Sequence, residues 1–237
     1  MGEGYFWRNA SMTRVVIICE GLTERDFVKK IVTPHLIGFG INASSPILGK
    51  PGKKGGDVRS TRVLGDIVAL LQSDRTAFCT TFLDFYGMKF DVPGKDKVRS
   101  SNTYKEKKQI VEDAIFEAVK EKVGDTAIRR FKPYIQMYEF EGLLFSNVEK
   151  MSSKLSDGNN KIEQEIQSEF EKILKAKSPE EINDSRDTAP SKRIEKMVSG
   201  YSKITNGIPL AEYIGLEEIR KKCLLFNDWI KWLESPS

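Results

Sequence analysis

Runs of apolar residues in the first 145 positions alternate with stretches of helical spacing, and the alternation repeats. TRVVIIC at 13–19 is continuously apolar and β-branched, the pattern of a strand covered on both faces, as in a parallel sheet. Glu20-Gly21 ends it, Thr23 is a candidate helix cap, and Phe27, Val28, Ile31 and Val32 recur at helical spacing. A weaker strand is expected at 41–48, a helix at 58–72, a strand at 76–84, a helix at 104–122 and a strand at 132–138. That order predicts an α/β fold with a doubly wound, Rossmann-like parallel sheet flanked by helices and joined by right-handed crossovers.

Beyond Ser146 the strand signals stop, and helical periodicity appears at 148–153, 160–176, 190–198 and 216–234, with Ser178 before Pro179 as a cap. The expected organisation is a loose leader at 1–12, an α/β domain at 13–147, and a helical C-terminal lobe at 148–237 on the same core. No stretch reaches the roughly 18 apolar residues of a membrane helix, and the first dozen residues show no export signal. Cys19, Cys79 and Cys223 are scattered, which fits reduced thiols and a cytoplasmic protein.

Chemistry is expected where strands end, because open α/β sheets bind ligands beyond the carboxyl ends of their strands. Three predicted strands run into acids: Glu20 with Glu24, Asp84, and Glu139 with Glu141. Gathered carboxylates need protons or cations, and an all-oxygen set suits Mg²⁺ or Mn²⁺. The single histidine, His35, disfavours polyhistidine metal sites and reads as a packing residue at a helix end. A net charge of +4 permits an anionic partner without requiring one. The glycine- and lysine-rich loop with Lys50, Lys53, Lys54, Arg59 and Arg62 lacks Walker spacing; it suits phosphate contact, and a solvated charged loop explains it equally well. Trp229 and Trp232 read as a core-facing stripe.

EGLTE at 20–24, DFYG at 84–87, YEFEGLLF at 138–145, and PEEIN at 179–183 followed by TAPSKR at 188–193 together resemble the bacterial domain-of-unknown-function family 4276, from Met12 to Leu233. That family is similar to the Toprim domains of topoisomerases, primases and OLD-type nucleases, and its members resemble phage-defence effectors beside an AAA- or ABC-type ATPase. The resemblance implies an acid/base or metal role for Glu20, an additional acid at Glu24, and the first metal-holding acid of a pair at Asp84. Tyr86 stands where Toprim proteins carry their second aspartate, and Glu139 or Glu141 offers a replacement. If a helix starts at Glu139 the two splay apart and one alone ligates, Glu139 being the choice. Gly21, Gly87, Tyr86, Lys192 and Arg193 are supporting candidates.

The leading expectation is a Mg²⁺- or Mn²⁺-dependent nuclease with Glu20, Glu24, Asp84, Glu139 and Glu141 around metal and Lys50, Lys53, Lys54 and Arg59 on phosphate. Its rivals are a catalytically degenerate Toprim module that binds an ATPase or nucleic acid, and primase-type nucleotidyl transfer. Expected partners are nucleic acid, an ATPase and a second copy of the chain, without a membrane.

Overall fold

A computed structural model describes residues 12–49, 58–175, 177–182 and 186–237. The first apolar run forms β1 (Thr13–Cys19), and α1 (Leu22–Phe27) follows after a two-residue turn. Gly21, rather than Thr23, is the cap residue of α1; Thr23 lies buried inside it. From α1 the chain continues through a π-turn (Val28–Val32) into α2 (Thr33–Ile37). Pro34, with no amide hydrogen, sits at the start of α2, and the Thr33 amide just before it reaches back five residues to Val28 O. A helix that must accommodate a proline relaxes its ladder in this way.

β2 (Ile41–Ser44), α3 (Ser60–Ser73), β3 (Phe78–Asp84), α4 (Tyr104–Ile128), β4 (Phe131–Lys132) and β5 (Ile135–Gln136) complete the α/β part. The strands lie in the order β2-β1-β3-β4, all parallel, and β5 takes up the β3 edge where β4 leaves it. The expected strand at 132–138 is thus split at Pro133-Tyr134. Proline cannot donate to the ladder, and the Thr81 hydroxyl bridges the gap by accepting from Tyr134 N and donating to Tyr134 O, both at 2.9 Å. On the open side of β5, Glu112 of α4 accepts from Ile135 N at 2.9 Å and Lys108 donates to Ile135 O at 3.1 Å. These contacts fix the strand that leads into residues 138–141.

Alternation along β1 and β3 sends Val15, Ile17, Cys19 and Phe82 to one face and Ile18, Cys79 and Leu83 to the other. Helices α3 and α4 cover the second face. The first face is covered by α1 and α2 together with the chain's C-terminal helices: α5 (Val148–Leu155), α6 (Asn160–Leu174), α7 (Pro190–Met197), α8 (Ile208–Ile214), α9 (Leu216–Lys222) and α10 (Leu224–Glu234). Phe27 meets Phe82, Phe140 and Phe226 edge-on at centroid distances of 5.2–5.8 Å, and Trp229 stacks on Tyr134 at 4.4 Å. The expected helix at 216–234 is two helices broken at Cys223, and α8 has no counterpart in the sequence-derived elements. Glu180, buried to 2% exposure, accepts from Leu225 N at 2.9 Å and Phe226 N at 2.8 Å and so caps α10. Ser178, the expected cap, forms no capping hydrogen bond at the short 3₁₀ turn Pro179–Glu181.

His35 Nε2 lies 2.7 Å from Glu234 Oε1, and Arg220 pairs with the same carboxylate, fastening α2 to α10. Cys19, Cys79 and Cys223 are buried free thiols. No helix among the described residues is long and apolar enough to cross a membrane.

Candidate acidic site at the switch point of the sheet

Because β1 has β2 on one side and β3 on the other, the chain's connections leave β1 and β3 in opposite directions. The crevice beyond the carboxyl ends of this pair is the topological switch point, where α/β sheets bind ligands. Glu20 and Asp84 are the residues at those two ends. They are coupled directly, since Glu20 Oε2 accepts from Asp84 N at 3.0 Å. On the turn after β3, a Cβ at Gly87 would stand 2.1 Å from Glu20 Oε1, so only glycine leaves room for this carboxylate. Gly21 is different: its extended backbone is open to any residue, and its amide donates to Glu24 Oε2 at 2.8 Å.

Asp84 is 6% exposed and Glu141 0%, and each has an oxygen without a hydrogen-bond partner, Asp84 Oδ1 and Glu141 Oε1. Buried polar atoms almost always find partners, so two orphaned carboxylate oxygens at one crevice are a functional signal. Burial raises the Asp84 carboxyl well above its ordinary range, and the neighbouring Glu24, Glu20 and Glu141 add to the rise. Burial also lifts Glu20 to about 7, with Glu24 as its strongest like-charge neighbour, against the Asp84 amide and Lys203. Glu141 is raised to about 7 by burial, opposed by Lys203, and Glu24 is raised by burial.

Lys203 begins a π-turn (Lys203–Gly207) and places its ammonium 2.8 Å from Glu141 Oε2. Burial alone would lower its pKa; Asp84, Glu141 and Glu139 outweigh that and hold it above the ordinary lysine value. Beside it the buried Tyr201 hydroxyl has no partner, and burial with Glu141 and Glu139 keeps the phenol protonated. Lys203 and Tyr201 carry no strand-end or glycine signal in the sequence. Ser202, which caps the turn through its hydroxyl, and the apolar IPLAEYI before Gly215 are the marks by which this segment could have been found.

Glu139 and Glu141 diverge, because a 3₁₀ turn (Phe140–Ser146) starts between them. Glu139 Oε2 accepts from Ser191 N at 3.0 Å, at the start of α7, whereas Glu141 is the one buried against Lys203. Tyr138, just before, has a left-handed backbone with φ of 57°, a strained state for a tyrosine that recurs at functional sites. Its carbonyl accepts from Tyr86 N at 3.1 Å, and its ring lies 5.5 Å from the Tyr86 ring, so Tyr86 packs beside the acids without adding a charge.

Of the expected phosphate contacts, Lys50, Lys53 and Lys54 lie outside the described residues. Arg59 is exposed at the start of α3. Lys192 is exposed and pairs with Glu195 at 2.6 Å, and Arg193 donates to Thr188 O at 2.7 Å, which turns it towards its own loop.

Oxygen donors, high burial and two orphaned atoms fit a hard divalent cation in donor chemistry. Among the described residues, no three acid, histidine or cysteine side chains are arranged to hold one ion together. Magnesium commonly keeps several waters and takes only one or two carboxylates, a demand this arrangement can meet.

No curated protein and no solved structure matches the chain. The family described as Domain of unknown function (DUF4276) matches residues 19–234, from the end of β1 into α10, and so includes every carboxylate of the crevice and Lys203. The chain belongs to this family.

Proposed function

We propose that the chain is a Mg²⁺- or Mn²⁺-dependent phosphodiesterase that cleaves nucleic acid at the β1–β3 crevice. The observation that carries this reading is the pair of orphaned, buried carboxylate oxygens on Asp84 and Glu141, set beside Glu20 and Glu24 at the switch point. The order of Glu20, Glu24 and Asp84 along the chain is also that of a Toprim-like nuclease domain, which supports the same chemistry. Glu20 and Asp84 would hold the ion with Glu24 in reserve, and the ion would supply charge neutralisation at the phosphate.

The chain's own groups have separate tasks. Without metal, Glu20, with a carboxyl near 7, holds or releases a proton at neutral pH while the Asp84 amide fixes Oε2, and holding an ion requires it to give that proton up. The Tyr201 hydroxyl and the Lys203 ammonium are donors for a phosphate oxygen or a leaving oxygen. Arg59 and the lysines of the preceding loop steer the polyanion. An ATPase partner and a role in phage defence rest on the family resemblance, and a cytoplasmic location on the three scattered, free cysteines.

Incubation of plasmid DNA and total RNA with the protein and Mn²⁺ tests the reading. Cleavage that EDTA stops, and that Glu20→Gln and Asp84→Asn each reduce at least 100-fold, is the expected result. Equal cutting by both variants would sink the assignment. A non-catalytic binding module is favoured by one observation, Tyr86 in place of an acid. Nucleic-acid or ATPase binding without turnover, and without Mn²⁺ uptake, would select it.

A further inference from the structure

The connections that leave the carboxyl ends of β2 and β3 meet on the crevice side of the sheet. Val58, just before α3, and Met88, on the turn after β3, form a parallel bridge, and Lys89 N donates to Val58 O at 2.9 Å. Between the buried Met88 and Val92 stands Phe90, 74% exposed, the most of any large apolar side chain among the described residues. A single exposed apolar residue is ordinary on a protein surface. Phe90 differs in three respects. Its turn is pinned on both sides by buried anchors, so the ring is held out by the fold. It stands beside the acids: Gly87 abuts the Glu20 carboxylate, and Phe90 follows three residues later, within about 11 Å of chain. It also lies among cations, because Lys89 precedes it, exposed, and the Val58–Met88 bridge brings the exposed Arg59 alongside.

We propose that Phe90 is a stacking platform for an unpaired base, so that the crevice acts on single-stranded nucleic acid. This rests on the phosphodiesterase reading and adds its substrate class. An aromatic face accepts any base whose own face is free, and cations beside it hold the backbone phosphates; together they bind single strands without reading their sequence. In a duplex the faces of each base are already covered by its neighbours, so the ring gains nothing there without unstacking them. Lys89 and Arg59 supply the phosphate contacts and Phe90 the base contact. The crevice acids repel a polyanion, and a platform at their side supplies the attraction that they lack. A protein partner would call for apolar surface around the ring, whereas the chain neighbours of Phe90, Lys89 and Asp91, are exposed and charged.

Steady-state cleavage by the full chain with Mn²⁺ decides the matter, on labelled DNA and RNA oligonucleotides of about twelve nucleotides, each offered as a single strand and as a duplex. Wild type is expected to prefer the single strand. Phe90→Ala should raise KM for the single strand at least fivefold, the lower end for one stacked base, and leave kcat and the duplex rate unchanged. Phe90→Trp should keep the wild-type KM, whereas Phe90→Leu, which retains apolar bulk without a ring face, should behave like Phe90→Ala. An unchanged KM in Phe90→Ala, a wild-type KM in Phe90→Leu, or a preference for duplex would overturn the inference and leave the phosphodiesterase reading standing. The first two outcomes would release the ring for a protein partner. No cleavage of any substrate would sink that reading and this inference with it. Because the side chain is so exposed, none of these substitutions disturbs the core.

Discussion

Glu180 and Glu141 are both buried glutamates within 3₁₀ turns, and they do opposite things. Glu180 gives both oxygens to backbone amides at the start of α10, and these donors partly offset the rise that burial imposes on its carboxyl. Glu141 has an oxygen with no partner, and its neighbours Asp84 and Tyr201 have orphaned atoms as well. Burial alone therefore does not mark a functional acid. What separates them is whether the folded chain itself completes the hydrogen bonds.

Four substitutions sharpen this contrast. In the largest effect, Asp84→Asn lowers metal-dependent cleavage at least 100-fold, about 2.7 kcal/mol of barrier, while Glu180→Gln keeps its rate per folded molecule. Cleavage assays normalised to the folded fraction by circular dichroism check both. Next, Glu180→Ala strands two amides and destabilises the protein by about 2–4 kcal/mol in urea unfolding. Smallest, His35→Ala removes one link of the α2–α10 clasp for about 1 kcal/mol and leaves Mn²⁺ uptake unchanged.

The acids also set a pH dependence of opposite sign to ordinary acid denaturation. Glu20 and Glu141 titrate near 7 when folded against 4.5 as free groups, so the native state binds more protons between those values. Metal-free stability therefore falls as pH rises from about 4.5 to 7, by about 1–3 kcal/mol per group if the two act separately. Thermal melts with EDTA should show a transition several degrees lower at pH 8 than at pH 5.5. Glu20→Gln should reduce that difference, and a slope unaltered by it would contradict the assigned shift.

The sheet and the strand-end acids were legible because their signal is local. A parallel strand buried on both faces is a continuous apolar run, and each run here ends where the chain must turn. Thr13–Cys19 and Phe78–Asp84 accordingly lie within or at the expected limits. The break of the fourth strand at Pro133 was marked by the proline itself, but its repair by Thr81, 53 positions away in sequence, was not. Lys203 was illegible for the same reason: nothing in YSKITNG distinguishes a lysine facing water from one facing Asp84 and Glu141. The choice between Glu139 and Glu141 turned on where a 3₁₀ turn begins, a matter of one residue, and the structure gives Glu139 to the α7 amide.

The clasp of α2 on α10 and the contact of Phe27 with Phe226 have a consequence for the order of events in synthesis. A chain emerging from the ribosome has made Glu20, Glu24 and Asp84 long before it has made Lys203 or the helix that closes the core over Phe27. Until then one face of the first βα unit lacks its cover, and long-range closure of this kind is slow and late. The acids of a nascent chain accordingly lack the Lys203 partner that they share in the folded protein, and their unusual proton affinity awaits the C-terminal part of the chain.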